Sequence, residues 1–267
     1  MLQRLRHAEI MRRVRLSGAT SVSDLASQLG VSPSTIRRDL EVLDRDGTLR
    51  RVRGGALLLD GGLLDGGLLD SGVSVDADAD RPFAEVAEVD EQDKEAVAVR
   101  AAELVRDGDV VLLDIGTTTM RLARRLRGRR VTVVTSSLAV LDVLRSDPEV
   151  ELLLLGGALR RTYHSLVGVL TEAALSQVVA DRVFLGASGL RPDGQLVDTT
   201  LAEVPLKRAM IAAAGQVVLL VDRHKFPGTG ALRVCGPDDI DVIVTNQGAD
   251  EATLRNCAAA GAEILLT

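Results

Sequence analysis

The 267-residue sequence predicts an α/β chain in two parts: a small N-terminal helical unit closed by a β-hairpin, then a larger domain on a mostly parallel sheet. Three observations carry this expectation. Residues 1–56 show short apolar periods of helical spacing and a basic tail, residues 57–81 are a low-complexity Leu/Asp/Gly tract, and from Arg81 onward Val/Leu runs alternate with helical stretches. A chain of this length can bury two cores. Hydrophobic residues make up 46% of it but aromatics only 1%, so those cores must be built from Leu, Val, Ala and Ile. Base stacking on aromatic platforms has almost no material here.

In the first part, Ser21 to Leu40 predicts two helices joined by a tight turn. Ser23 suits the N-cap of the first helix, and Gly30 its stop, because glycine tolerates left-handed geometry. Val31 fills the space between the helices. Ser32 caps the second helix, with Pro33 at its first position, where a missing N–H costs nothing. Ile36, Leu40 and Leu43 follow i, i+4, i+7 and face inward, while Ser34, Arg38, Glu41 and Arg45 lie opposite, flanked by Thr35 and Arg37. Gly47-Thr-Leu followed by Arg50, Arg51 and Arg53 predicts a hairpin wing. The whole reads as a winged helix-turn-helix over residues 1–56. The start of the second helix of such a unit reaches base edges. Ser32, Ser34, Thr35, Arg37 and Arg38 are therefore the candidates for reading DNA, with Arg38 suited to guanine O6/N7. Arg45, Arg50, Arg51 and Arg53 suit phosphates, which set affinity rather than sequence preference.

Charge supports this division. The formal net charge is −6, but the stretch through Arg53 carries 11 Arg against 6 acids, or +5, which leaves −6 − 5 = −11 for the remainder. A basic head on an acidic body is the asymmetry expected when only one part meets phosphates. Between them, Leu58-Leu59-Asp60-Gly61-Gly62 recurs at 63–67 and imperfectly at 68–72. A five-residue Gly/Asp repeat fits no solenoid period and has little to bury, so 57–81 is expected to be a flexible linker. A short strand or an oligomer contact along the Leu pairs is the alternative.

The domain expected over 82–267 has strand candidates at Val110–Asp114, Val131–Thr135, Glu151–Leu155, Val183–Gly186, Val217–Asp222, Val242–Thr245 and Glu263–Leu266. Helical patterns fall at Lys94–Arg106, Thr118–Leu126, Leu138–Arg145 and Leu201–Ala213. Apolar runs without alternation imply strands buried on both faces, hence a parallel sheet flanked by helices. Asp114-Ile-Gly-Thr-Thr-Thr119 then sits between a strand and a helix: Gly116 lets the backbone approach an anion, which the hydroxyls and free N–H groups of Thr117, Thr118 and Thr119 can cradle. An ordinary strand-to-helix turn would explain that motif as well. Ligands of open parallel sheets bind beyond the strands' carboxyl ends, where Asp114, Thr135, Gly186–Gly189 and Asp222 are all expected. Lys207 and Lys225 are two of only a few lysines in an Arg-rich chain, which hints at a geometric requirement; solvated surface cations are the plain alternative. Glu203 and Lys207, four residues apart on a helix, also fit an ordinary intrahelical pair. Arg160 and Arg161 after Gly156-Gly157 offer further anion contacts.

Arg6, Ile10 and Val14, then Ser32 through Leu40, match in type and spacing the helix-turn-helix signature of the DeoR family of bacterial regulators. The resemblance covers nearly everything except the linker: Arg81-Pro-Phe83, Lys94-Glu95, Leu113 to Thr119, Val134-Thr-Ser136, Gly156-Gly157, Gly186-Ala-Ser-Gly189, Glu203 with Lys207, and Asp222 with Lys225-Phe226 all look like that family's sensor domain. The resemblance implies a fold similar to ribose-phosphate isomerases and coenzyme A transferases. It also implies a bound phosphorylated sugar or related metabolite that releases a repressor from its operator. The effector-binding candidates are then Asp114, Gly116, Thr117, Thr118, Thr119, Thr135, Ser136, Gly156, Gly157, Arg160, Gly186, Ser188, Gly189, Glu203, Lys207, Asp222 and Lys225. Departures are the long linker, the Ala-Glu-Val-Ala-Glu after Phe83, and Arg223-His224 following Asp222.

Other classes find little support. No apolar stretch approaches the roughly 20 residues of a membrane span, and no signal peptide pattern opens the chain, so a cytoplasmic protein is expected; a homo-oligomer is expected because such DNA-reading heads act as symmetric pairs. Cys235 and Cys257 lack Cys-x-x-Cys spacing and are expected to be buried thiols, and the three histidines suggest no metal site. No cofactor and no catalytic residue are expected, and no Gly-x-Gly-x-x-Gly follows a predicted strand. The alternative is a sugar-phosphate isomerase with an appended DNA-binding head, in which Asp114, Glu203 and Lys207 shuttle a proton; fold similarity is a poor warrant for that activity. The assignment of the recognition helix makes a prediction. In gel shifts with the DNA upstream of its own operon, Arg38→Ala loses about 1–3 kcal/mol of preference between sequences, whereas Arg51→Ala weakens all sequences alike and lowers the salt slope by about 1. Uniform losses in both variants refute the assignment.

Overall fold

The computed structural model describes residues 6–7, 9–10, 19–45, 49–52, 55–58 and 83–267. The chain divides into two compact units, Met1–Leu68 and Leu69–Thr267.

In the first unit, strand β1 (Ala19–Ser21) leads directly into helix α1 (Val22–Leu29), and helix α2 (Pro33–Arg45) is followed by strands β2 (Leu49–Val52) and β3 (Gly55–Leu58). The strands form an antiparallel sheet of order β1-β3-β2, with Ala19 opposite Leu57 and Leu49 opposite Leu58. Pairing to β3 holds the chain extended through Ser21, so α1 begins at Val22 and Ser23 lies inside the helix rather than at its cap. Gly30 adopts φ +63°, and the Val31 N–H reaches back 3.1 Å to the Ala26 carbonyl, ending α1 as glycine permits. Ser32 Oγ accepts from the Thr35 N–H at 3.2 Å and so caps α2. Ile36, Leu40 and Leu43 are buried with Ile10, Val22, Leu25 and Ala26 in one small core. Asp39, on the same helix, is 2% exposed and bridges to Arg6 and His7, each with one contact at 3.0 Å. Burial works against this carboxylate, yet Arg6 and His7 outweigh it and hold its pKa below the usual range. The wing runs on to Leu58, past residue 56 where the boundary was expected, because β3 pairs on both sides. The repeat at 59–72 and Arg53 lie outside the described residues.

The second unit opens with helices α3 (Phe83–Glu88) and α4 (Glu91–Ala102). Seven parallel strands follow in the order 15-14-12-9-4-5-6: β4 (Val110–Leu113), β5 (Thr132–Thr135), β6 (Glu151–Leu154), β9 (Arg182–Leu185), β12 (Val217–Leu220), β14 (Val242–Thr245) and β15 (Glu263–Leu266). Each strand expected from the sequence is present. The inner strands pack on both faces, whereas the edge strands β6 and β15, with a neighbour on one side only, leave Leu153, Leu154 and Leu266 exposed, contrary to the expectation from their apolar runs. Val111, Leu113, Phe184 and Val218 face α4, α5 (Thr117–Leu126) and α6 (Leu138–Leu144). Leu112, Val183, Leu185 and Leu219 face α7 (Val169–Leu175), α8 (Val204–Ala212) and α9 (Glu251–Ala259). Two small additions had no strong sequence signal: the hairpin β7 (Ala158–Arg160) with β8 (Ser165–Val167), and an antiparallel sheet of β10 (Gly189–Leu190), β11 (Leu196–Asp198) and β13 (Leu232–Cys235). Cys235 and Cys257 are buried and unpaired.

The strand order positions the site. From β4 the chain builds outward through β5 and β6, then returns to the other side of β4 to place β9, β12, β14 and β15. Loops leaving the carboxyl ends of β4 and β9 therefore diverge, and a crevice opens where the order reverses. Among the described residues, no helix is long and apolar enough to cross a membrane.

Candidate functional site

A cleft of about 120 Å³ opens at that reversal point. Its floor is the β4–α5 loop. Gly116, at φ +149°, lets the chain turn from strand to helix. The Thr119 hydroxyl donates to the Asp114 and Gly116 carbonyls at 2.7 and 3.0 Å and so sets the loop's shape rather than facing a ligand. Thr117 and Thr118 line the cleft with first-turn N–H groups that α5 itself leaves unpaired.

Opposite this loop, Lys207 reaches from α8 to the end of β4. It is 2% exposed, pairs with Asp114, donates to the Gly186 carbonyl at 2.9 Å and lies 3.6 Å from Asp198. Gly186 in turn donates its N–H to the Asp114 carboxylate at 3.0 Å. Burial disfavours the lysine's charge, but Asp114, Asp198 and Glu203 together outweigh it and raise its pKa above the ordinary value. Glu203, just before α8, pairs with Arg160 of β7. Burial, with Asp198 and Asp114 nearby, outweighs the pull of Lys207 and Arg160, and its carboxyl is pushed up to about 7. Three carboxylates thus share two cations at the inner end of the cleft.

The outer end carries Lys94 and Lys225 together with Asp90 and Asp222. Lys94 is 4% exposed and donates to the Val86 and Val89 carbonyls at 2.8 and 2.6 Å. Burial lowers its pKa; Asp222 and Asp90 oppose that shift without offsetting it, while Lys225 and Arg121 add to it. Asp222 Oδ1 accepts from the His224 N–H at 3.0 Å, shaping the turn that carries Lys225 to the cleft. The Lys225 ammonium has no hydrogen-bond or ion-pair partner among the described residues. The chain contains three lysines, Lys94, Lys207 and Lys225, and all three line this one cleft.

Of the effector candidates, Gly116, Thr117, Thr118, Thr119, Gly186, Ser188, Glu203, Lys207, Asp222 and Lys225 come together around the cleft. Asp114 lies beneath it, fully buried. Arg160 stands behind Glu203 and over the Tyr163 ring, 5.7 Å from its centroid. Thr135 is occupied by the Leu113 carbonyl and the Ser137 N–H, while Ser136 is buried away from the cleft. Gly156 and Gly157 pack under α7: the Gly156 carbonyl accepts from Thr171 Oγ1 at 2.7 Å, and a side chain at Gly157 would press on the Val167 carbonyl at 2.8 Å. Gly189 touches the turn at Pro227, where a Cβ would come within 2.6 Å of a carbonyl oxygen. Gly157 and Gly189 thus serve close packing, whereas a Cβ at Gly156 would meet nothing within 4 Å. Sequence reasoning omitted Lys94, Tyr163, Asp198, Thr199, Thr200 and Thr229 from the cleft. Lys94 was findable as the third of the rare lysines, whereas Asp198 ends β11 and Thr199 and Thr200 follow it, and the short antiparallel pairing of β11 has no strong periodic signal.

On the first unit, Ser32, Ser34, Arg37 and Arg38 are exposed along the start of α2, and Thr35 is half-buried. Arg45 ends α2, and Arg50 and Arg51 lie on β2, beside the turn of the hairpin.

A winged helix-turn-helix followed by an α/β unit with a charged cleft at its switch point defines a DNA-binding transcriptional regulator with its own sensor domain. The chain belongs to the DeoR family: the DeoR-like helix-turn-helix domain matches residues 6–61 and the DeoR C-terminal sensor domain matches residues 89–247. It is 30% identical to a putative aga operon transcriptional repressor of Escherichia coli O157:H7 over 98% of this chain and 93% of that one. It is 31% identical to the glycerol-3-phosphate regulon repressor of Haemophilus influenzae over 92% and 90% of the two chains. Among solved structures, a D-ribose-5-phosphate isomerase in complex with phospho-erythronic acid aligns with 51% of this chain and 54% of its own, at 20% identity and a TM-score of 0.38. The names of the family and of these relatives are those of transcriptional regulators.

The buried charges make two predictions. Lys207→Met leaves Asp114 without its cation and costs about 3–5 kcal/mol in urea denaturation at neutral pH, while the Asp114→Asn/Lys207→Met double variant costs less; equal losses refute the pairing. Glu203 titrates near 4.5 when unfolded and near 7 when folded. The stability it supplies is therefore complete at low pH and is lost as pH rises through about 7. Glu203→Gln, which resembles the protonated acid, flattens the fall in melting temperature between about pH 5 and pH 8; an unchanged profile counts against this assignment.

Proposed function

We propose that this protein is a repressor of a carbohydrate-metabolism operon, and that a phosphorylated sugar or a closely related metabolite bound in the cleft controls its grip on operator DNA. One observation carries the reading: every lysine of an Arg-rich chain lines a single cleft, where the unpartnered Lys225 ammonium stands near the α5 N-terminus. A phosphate suits that outer end, because free backbone N–H groups and cations both favour an anion. Hydroxyl groups suit the inner end, where Glu203, Asp198 and Thr199 offer acceptors and donors. The printed names of relatives, an aga operon repressor and a glycerol-3-phosphate regulon repressor, support the same ligand class.

In this reading the winged unit through Leu58 holds the DNA, 59–81 link, and 82–267 sense the effector. Ser32, Ser34, Thr35, Arg37 and Arg38 read bases, while Arg45, Arg50, Arg51 and Arg53 hold phosphates. The protein works in the cytoplasm as a homo-oligomer on paired half-sites, because symmetric operators mirror symmetric proteins. Effector and operator then affect each other's affinity reciprocally.

The scarcity of lysine gives a direct test. Amine-directed labelling read by mass spectrometry reports only the N-terminus and the three cleft lysines, and a bound sugar phosphate shields Lys225. The same compound, screened from pentose, hexose and glycerol phosphates, stabilises the fold by about 3 kcal/mol at a hundred times its Kd. A panel in which no phosphorylated compound shifts the melting temperature or shields Lys225 overturns the reading.

A further inference from the structure

Helix α3 is the first described element after the segment that leads from the DNA-binding unit, and its anchors are groups of the cleft. At its start, the Phe83 N–H donates to the Thr162 carbonyl at 3.0 Å. The Phe83 ring meets Tyr163 edge-on at 5.6 Å and stacks on His164 at 5.9 Å. Tyr163 lines the cleft from the tip of the β7–β8 hairpin, whose Arg160 is tied to Glu203 inside it. At the other end of α3, Lys94 donates to the Val86 and Val89 carbonyls, and Arg121 to the Ala87 carbonyl at 2.9 Å. Val86 and Val89 line the cleft themselves. Of the six residues of α3, only Phe83 is buried. The helix therefore has little core of its own and depends on these anchors.

The decisive group is Lys94. An ammonium has three N–H donors. Two are taken by carbonyls of the α3 turn, and the third has no partner among the described residues, although the side chain is 4% exposed and lines the cleft. A ligand oxygen at that third position joins ligand and helix through one nitrogen. It also adds an acceptor to an ammonium that burial disfavours and that has Asp222 and Asp90 as well as Lys225 and Arg121 among its charged neighbours. We propose that α3 is the relay by which occupancy of the cleft reaches the DNA-binding unit. Lys94 and the Tyr163-bearing hairpin are its two positioning anchors, and ligand binding orders the helix. The inference rests on the effector reading above and names how that same site is coupled.

The test uses full-length protein, ribose 5-phosphate and glycerol 3-phosphate as probes, and a duplex of the DNA upstream of its own operon. Tyr163 is the sole tyrosine in a chain without tryptophan, so its fluorescence follows binding without a label. In wild type, a bound probe slows hydrogen exchange of residues 83–90 roughly fivefold or more and changes DNA affinity by a similar factor. Phe83→Ala, or Phe83→Leu should the first variant fold poorly, keeps probe affinity within about twofold but abolishes the effect on DNA. A wild-type-sized DNA response in both variants, or unchanged exchange at 83–90 with probe bound, overturns the relay and leaves the effector reading intact. If neither probe binds wild type, the effector reading fails for these ligands, and the anchoring is judged without ligand. Lys94→Met must then speed exchange at 83–90 roughly fivefold or more; unchanged exchange overturns the relay.

Discussion

Lys207 and Asp114 meet where the sheet changes direction, and their pairing holds together elements that the strand order would otherwise let diverge. Asp114 ends β4, Gly186 ends β9, and Lys207 comes from α8 on the far side of the crevice; the carboxylate takes the Gly186 N–H while the ammonium takes the Gly186 carbonyl. Two buried charges are costly to desolvate; Asp114 Oδ2 takes both Lys207 and the Gly186 N–H, while its Oδ1 has no hydrogen-bond partner among the described residues, so the ion pair itself offsets that cost. The arrangement fixes the cleft's inner wall. It also explains why a lysine, with its compact tetrahedral head, stands here in a chain that otherwise uses arginine.

From that wall outward, charge is graded along the cleft. Asp114, Asp198 and Glu203 share Lys207 and Arg160 at the inner end, and Lys94 and Lys225 define the outer end. A ligand with an anionic end and a hydroxyl-bearing end finds complementary groups at both. The gradient also feeds back on the protein: Glu203 is held near neutrality by burial beside like charges, so the inner end is sensitive to protons in the physiological range.

The second unit also carries structure that the sheet itself does not need. The β7–β8 hairpin and α3 contribute little to either main core, yet Arg160, Tyr163, Val86, Val89 and Lys94 all meet the cleft or its immediate neighbours. The first unit has its own clamp, in which Arg6 and His7 hold Asp39 from outside α2. That bond orients the helix by its buried side and leaves Arg37 and Arg38 exposed on the other.

The sequence alone determined the local features. Seven Val/Leu-rich runs were legible as strands, though burial on both faces holds only for the inner ones and not for the edges β6 and β15; the Ile36–Leu40–Leu43 period fixed the inner face of α2, and Gly30 and Pro33 marked the turn between two helices. Each of these depends on residues a few positions apart. The Gly-Thr-Thr loop and Lys207, which line the cleft, were legible as candidates for the same reason: their surroundings in the chain already predicted a strand end and a helix. Tertiary structure decided what depends on partners far away in sequence. Thr135, Gly156, Gly157 and Gly189 carry the look of a site but are consumed by packing and backbone bonds. Asp198 and Tyr163 reach the cleft only because a small sheet and a hairpin fold back over the strand ends. Whether a polar residue serves a ligand or a neighbour is set by which donors and acceptors remain unpaired once the chain has closed on itself, and that count exists only in three dimensions.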